Sequence, residues 1–161
     1  MMRLEKPMRV ERATSADIAL LVEMRLAYLA EDFGPAFADD AERIERELPS
    51  YFSAHLNRDL FCYLAREGDV AAACAFLLAV EKPASPAFPN GKTGTVLNVY
   101  TKPAFRRRGF ARAVMQTLLS DAAKKGICLI ELKATKMGEG LYRSLGFEDA
   151  SGEYRAMRWR G

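Results

Sequence analysis

The sequence predicts an α/β (α+β) protein: a mixed, mostly antiparallel sheet of six to seven strands with four helices on its faces. Three observations predict it. Strand-like segments, alternating or continuously apolar, and segments with apolar residues at helical spacing follow one another in the order β-α-α-β-β-β-α-β-α-β-β. The turn Glu67-Gly68-Asp69 is short enough to make its two flanking strands antiparallel neighbours. An apolar strand then passes through a Pro turn and a basic, glycine-containing loop into a helix and a further strand, which reads as a right-handed parallel crossover. A length of 161 residues suits one domain, 1–161, with a sizeable core.

In chain order, residues 8–13 alternate apolar and polar and predict a first strand. Thr14-Ser15-Ala16-Asp17 is a capping signal, and Ile18, Leu21, Val22, Leu26 and Leu29 follow at helical spacing to about Ala30. Gly34-Pro35 ends that helix. Asp39 and Asp40 open a second, with Ile44, Leu48, Phe52 and Leu56 on one face, and Pro49 is expected to kink or split it. Residues 60–66 and 70–80 are strands. Residues 82–92, with three prolines and Asn90-Gly91, form a loop expected to act as a substrate-facing flap, and strand pattern resumes over 93–100. A third helix starts near Arg108, carries Ala111, Val114, Leu118 and Ala122 on one face and stops at Gly126. Residues 127–134 are a strand, 137–145 a short helix ending at Gly146, and 147–148 with 154–159 a last pair of strands.

Half the residues are apolar and 28% are charged, the composition of a globular protein. No run of 18 or more apolar residues is present, so no membrane span is expected. The first residues lack the apolar stretch of a signal peptide, so a cytoplasmic location is expected. A net charge of +3 is too small to imply nucleic-acid binding. Cys62, Cys74 and Cys128 sit among strand-like apolar residues without metal-ligand spacing and read as buried thiols. His55 is the only histidine and stands in a helical stretch without a nucleophile motif, so neither a metal site nor a Ser–His or Cys–His pair is expected.

The chemistry concentrates in Leu97-Asn98-Val99-Tyr100-Thr101-Lys102-Pro103-Ala104-Phe105-Arg106-Arg107-Arg108-Gly109-Phe110-Ala111-Arg112. A strand feeding a helix through such a loop offers unpaired N–H groups and a positive helix end to an anion. Gly109 lets the backbone approach phosphate oxygens without a Cβ in the way, and Ala111 is small for the same reason. Positive charge at a helix N-terminus opposes the dipole, so Arg106, Arg107 and Arg108 point to a bound anion rather than to a solvated helix start.

These residues carry a resemblance. Arg106-Arg107-Arg108-Gly109-Phe110-Ala111 fits the Gln/Arg-x-x-Gly-x-Gly/Ala pattern of the GCN5-related N-acetyltransferase (GNAT) superfamily, and residues 99–103 resemble that family's fourth strand and turn. Thr135-x-x-Gly138-x-x-Leu141-Tyr142-x-x-x-Gly146-Phe147 is similar to its second cofactor motif, with Thr where Asn is usual and Gly where Ala is usual. The order of elements matches too. The resemblance implies a sheet whose fourth and fifth strands splay apart and acetyl-CoA held in the gap as co-substrate, with no metal. The cofactor contacts it implies are Val99, Tyr100 and Thr101 on the strand, Arg106, Arg107, Arg108, Gly109, Phe110, Ala111 and Arg112 in the loop and helix start, and Thr135, Gly138 and Tyr142 downstream. It also implies that Tyr142 donates a proton to the leaving thiolate, and an amide near Val99 can stabilise the oxyanion.

The implied activity is N-acetyl transfer to a primary amine by direct attack. The alternatives are a non-catalytic acyl-CoA-binding module and, less in keeping with the charge, a nucleic-acid binder. Residues 93–99 contain no acid, so the general base is left to Glu81, Glu31, Asp32 or a water chain, with Asn98 able only to orient water. The two first helices and the 82–92 loop are expected to shape the acceptor pocket. Glu31, Asp32, Asp39 and Asp40 favour a cationic acceptor, a small-molecule amine or a peptide N-terminus. A homodimer is compatible with the family.

Overall fold

A computed structural model describes residues 6–150, 152 and 154–161. Five strands form one sheet in the order β1-β2-β3-β4-β5: β1 Met8–Arg12, β2 Leu60–Glu67, β3 Val70–Glu81, β4 Lys92–Thr101 and β5 Leu129–Glu131. The first four are antiparallel to their neighbours, and β4 and β5 are parallel. The helices are α1 Ile18–Phe33, α2 Ala38–His55, α3 Phe110–Lys124 and α4 Glu139–Ser144.

β3 explains the layering. Its run of small and apolar residues is buried on both faces, as expected of a central strand. Ala73, Ala75 and Leu77 join Val114, Met115 and Leu118 of α3 in one core, and Cys74 and Phe76 join Leu21, Met24 and Phe52 of α1 and α2 in another. Each fully buried Leu or Phe adds roughly 1.5–3 kcal/mol. Tyr63 of β2, 1% exposed, ties the sheet to α3 by donating its hydroxyl to Asp121.

Several expectations are corrected. The sheet has five strands among the described residues, not six or seven. Residues 147–148 form none, because the Phe147 amide donates to Tyr142 O (3.0 Å) and closes the end of α4 at Gly146, φ 97°. Residues 154–159 form none either: Tyr154, Met157 and Trp159 are 96%, 93% and 88% exposed, so no apolar face is buried there. The flank of β5 instead borders a cleft of about 510 Å³ lined by Leu119, Ile130, Leu132 and Phe147. The fifth strand is three residues long because its pairing with β4 runs only from Thr93↔Leu129 to Thr95↔Glu131. Pro49 neither splits nor ends α2, which continues to His55. Cys62 and Cys74 are buried thiols, but Cys128, just outside β5, is exposed.

Two irregularities position the site. β4 carries a bulge, since Cys74↔Tyr100 and Phe76↔Leu97 leave Asn98 and Val99 together opposite Ala75. Asn98 takes φ 55° there, a conformation Asn tolerates better than most residues. Beyond Thr95 the far edge of β4 has no β5 partner, so β4 and β5 part on the side where Val99, Tyr100 and Thr101 lie. Among the described residues no helix is long and apolar enough to cross a membrane.

Candidate active site

The gap between β4 and the chain after β5 opens into a cavity of about 780 Å³, within the range of small-molecule sites. Its floor is the β4–α3 connection. A Pro103–Phe105 turn leads to Arg106 in extended backbone, Arg107 at φ 64° and Gly109 at φ 85° as the N-cap of α3. Left-handed residues in such a loop turn successive N–H groups to one side, the concavity that binds anions. Among the described residues α3 has no side-chain cap and no acid in its first turn. A Cβ built at Gly109 meets nothing within 4 Å, so glycine is required there by its backbone conformation, and the space in front of it is open.

The arginines do not act alike. Arg107 lines the cavity and has no side-chain partner among the described residues. Arg106 also lines it, but Nε donates to Thr101 O (2.9 Å) and Nη2 meets Glu31 Oε2 at 2.6 Å, bracing the loop against α1. Arg108 turns away: it pairs with Glu67 (2.6 Å) and lies over the Phe105 and Phe110 rings, and of the predicted contacts it is the one that does not line the cavity. Arg112 lines the wall and donates to Ser144 Oγ of α4 (2.8 Å).

The opposite wall is the turn into α4. Thr135 and Gly138 both line it, and the Gly138 N–H donates to Thr135 Oγ1 (3.2 Å). A Cβ on Gly138 would sit 3.0 Å from Tyr142 Cε2, which gives a physical reason for glycine where alanine is usual. The Tyr142 ring packs edge-on against Phe147, and the residue lines the cavity. Burial, and then the neighbouring Tyr28, push its phenol above the ordinary tyrosine value. The group is therefore a neutral proton donor at neutral pH.

Val99, Tyr100, Thr101, Phe110 and Ala111 complete the predicted lining. The acids separate. Glu31 and Asp32 border the cavity, Glu31 already paired with Arg106, while Glu81 is exposed and faces Lys92 at the other end of β4. Asn98 is 3% exposed, with Oδ1 accepting from Arg25 Nη1 (3.2 Å) and Nδ2 facing Cys74 Sγ (3.5 Å), and it does not line the cavity. The 82–92 loop is no flap. It closes on itself through Lys82 N–H to Gly91 O (2.8 Å) and is pinned by Asn90 Nδ2 to Gly126 O (2.7 Å), at the start of β4 rather than its bulged end. His55 stands apart, against Asp59 (2.8 Å) and the Tyr51 ring.

Tyr28 and Arg25 of α1 escaped the sequence reading. A signal was present: Arg25, Tyr28 and Asp32 recur at i, i+3 and i+7, a polar stripe on one helix face. Among the described residues no group of His, Cys, Asp and Glu side chains is arranged to hold a metal ion.

An anion cradle, a splayed strand and a neutral phenol on one cavity together suit a phosphorylated thioester with an extended arm. A crystal structure of a predicted acetyltransferase with acetyl-CoA from Clostridium acetobutylicum is 28% identical, covering 94% of this chain and 96% of that one, with a TM-score of 0.79. A GCN5-related N-acetyltransferase from Ralstonia eutropha is 25% identical over 94% and 99% of the two chains, with a TM-score of 0.76. The chloroplastic GCN5-related N-acetyltransferase 1 of Arabidopsis thaliana is 40% identical over 52 residues, which is 32% of this chain and only 26% of that longer protein. The family model described as the acetyltransferase (GNAT) family matches residues 23–147, and with the greater part of its length inside that match the chain belongs to this family.

Proposed function

We propose that the protein transfers the acetyl group of acetyl-CoA to a primary amine by direct attack, with Tyr142 as the general acid. Family and fold support acetyl transfer from acetyl-CoA. The observation that carries the finer reading is the placement of the Tyr142 phenol, held protonated by burial, on the same cavity as the left-handed Arg107–Gly109 cradle. The cradle and Arg107 hold the pyrophosphate, and the β4 edge around Val99, which has no β5 partner, takes the pantetheine amides as a strand would.

The neutral amine attacks the thioester carbonyl and a C–N bond forms. The resulting oxyanion is stabilised by backbone N–H at the β4 bulge. The C–S bond then breaks, and the thiolate takes the proton of the Tyr142 hydroxyl, which is restored from solvent. The proton lost by the amine leaves through water toward Asp32, the cavity acid not tied up in an ion pair. No residue is acylated.

The test has two readouts. Acetyl-CoA at 100 times its dissociation constant should add roughly 2.7 kcal/mol of stability, read as a rise in Tm. Thiol release should then follow addition of an amine. No Tm shift at millimolar acetyl-CoA refutes the donor site; a shift with no thiol release across an amine panel leaves a binding module.

A further inference from the structure

Resting on that reading, we propose that the acceptor is a free α-amino acid with an apolar side chain, bound as its zwitterion with the carboxylate on Arg25. A second cavity, about 430 Å³, lies between α1 and α2 and is lined by Arg25, Leu29, Phe33, Phe37, Ile44 and Leu48. Apart from Arg25, Asp40 is its charged lining residue, and Asp40 is held by Arg43 at 3.0 Å. The space is therefore apolar with one available cation at its edge.

That cation lines the second cavity and reaches toward the first. Arg25 lies one helical turn from Tyr28, which lines the donor cavity, and its guanidinium is 5.9 Å from the Tyr28 ring. On its other side it donates to Asn98, the bulge residue next to Val99. A guanidinium carries five N–H donors, and among the described residues Arg25 has this one hydrogen bond and no ion pair. Arg106 and Arg108 each have a carboxylate. A half-buried, unpaired guanidinium is costly unless an anion completes it, and its planar fork matches a carboxylate bidentately. Burial lowers its pKa, while Asp32 is near enough to raise it without pairing with it.

Arg25 and Asp32 thus offer separated charges of opposite sign beside the donor site, with an apolar cavity alongside. A zwitterionic amino acid satisfies all three: carboxylate on Arg25, ammonium toward Asp32 and then the thioester, side chain between α1 and α2. A simple cationic amine satisfies only Asp32 and leaves Arg25 unpaired.

The experiment compares three acceptors of equal side chain, using acetyl-CoA and thiol release: L-leucine, L-leucinamide and 3-methylbutylamine, with the methionine and phenylalanine sets alongside. Leucinamide has the less basic amine and so the larger neutral fraction, which works against the proposal. The expected result is a kcat/KM for the amino acid at least about tenfold above its amide and amine in one or more sets. Arg25→Gln should remove that preference mainly through KM, Arg25→Lys should keep part of it, and acetyl-CoA should still raise the Tm of both. Calorimetry should show the amino acid binding to the CoA-loaded wild type and not to Arg25→Gln. Amides and amines used as well as the amino acids overturn the proposal while leaving the acetyltransferase reading intact. Absence of any amino-acid binding or turnover with acetyl-CoA bound also overturns it. Loss of the acetyl-CoA shift itself refutes the donor site instead. If Arg25→Gln fails to fold, the wild-type comparison and Arg25→Lys decide.

Discussion

Tyr142 keeps its proton across the neutral range as any phenol does, and burial, then Tyr28, extend that range upward. Tyr142→Phe is expected to lower kcat about a hundredfold or more while leaving the acetyl-CoA Tm shift unchanged. The wild-type rate should show no alkaline fall before about pH 10, where an unshifted phenol ionises. Gly138→Ala is a finer probe, because its Cβ would meet the ring at 3.0 Å and turn it without removing the hydroxyl. A kcat lowered less than in Tyr142→Phe, at equal cofactor affinity, is the expected outcome. Cysteines test the burial assignment separately. A thiol reagent should titrate one group in the folded protein, Cys128, and three after unfolding, since Cys62 and Cys74 are buried and the Cys74 thiol is pushed up to about 12.

At the scale of elements, the proposed donor site rests on the β4–loop–α3 unit. Gly109→Ala meets no clash but must hold φ 85°, so about 1 kcal/mol of stability should be lost on denaturant titration, with weaker acetyl-CoA binding. This unit was legible in the sequence because Pro103, Gly109 and Gly126 punctuate it and the apolar spacing of 111–122 is helical. Helices α1 and α4 were legible for the same reason, each ending at a glycine, Gly34 and Gly146. The last strands were misread because two segments with aromatic residues either side of Gly152 suggest a hairpin, whereas a strand also needs an edge that pairs with it. The bulge at Asn98 was out of reach for a related reason. It exists in the register between β4 and β3, and no property of residues 92–101 alone displays it. Arg25 was overlooked because a lone arginine in an amphipathic helix ordinarily faces water. Only the fold brings it against Asn98, 73 positions on.

For the molecule as a whole, buried ionisable groups make alkali the weak side of its stability. Tyr63, Tyr142, Cys62 and Cys74 all have pKa values raised chiefly by burial. The unfolded chain begins to lose these protons at about pH 8.5 for thiols and about 10 for phenols, while the folded chain retains them. The stabilisation is therefore complete below those values and is lost as pH rises through the folded ones. Urea midpoints should fall between pH 7 and pH 10.5, and Tyr63→Phe, which leaves Asp121 without its hydroxyl donor, should cost about 1–2 kcal/mol at pH 7.

The two apolar layers on either side of the sheet have a further consequence. One is built with α3, which follows the donor loop; the other with α1 and α2, which frame Arg25 and its cavity. Substitutions on opposite sides share few neighbours and should add independently. On the proposed reading, a descendant gene can trade one acceptor for another by rewriting α1 and α2 while inheriting the donor half intact. The seam at Asn98 and Val99, which touches both halves, is where such drift meets its constraint.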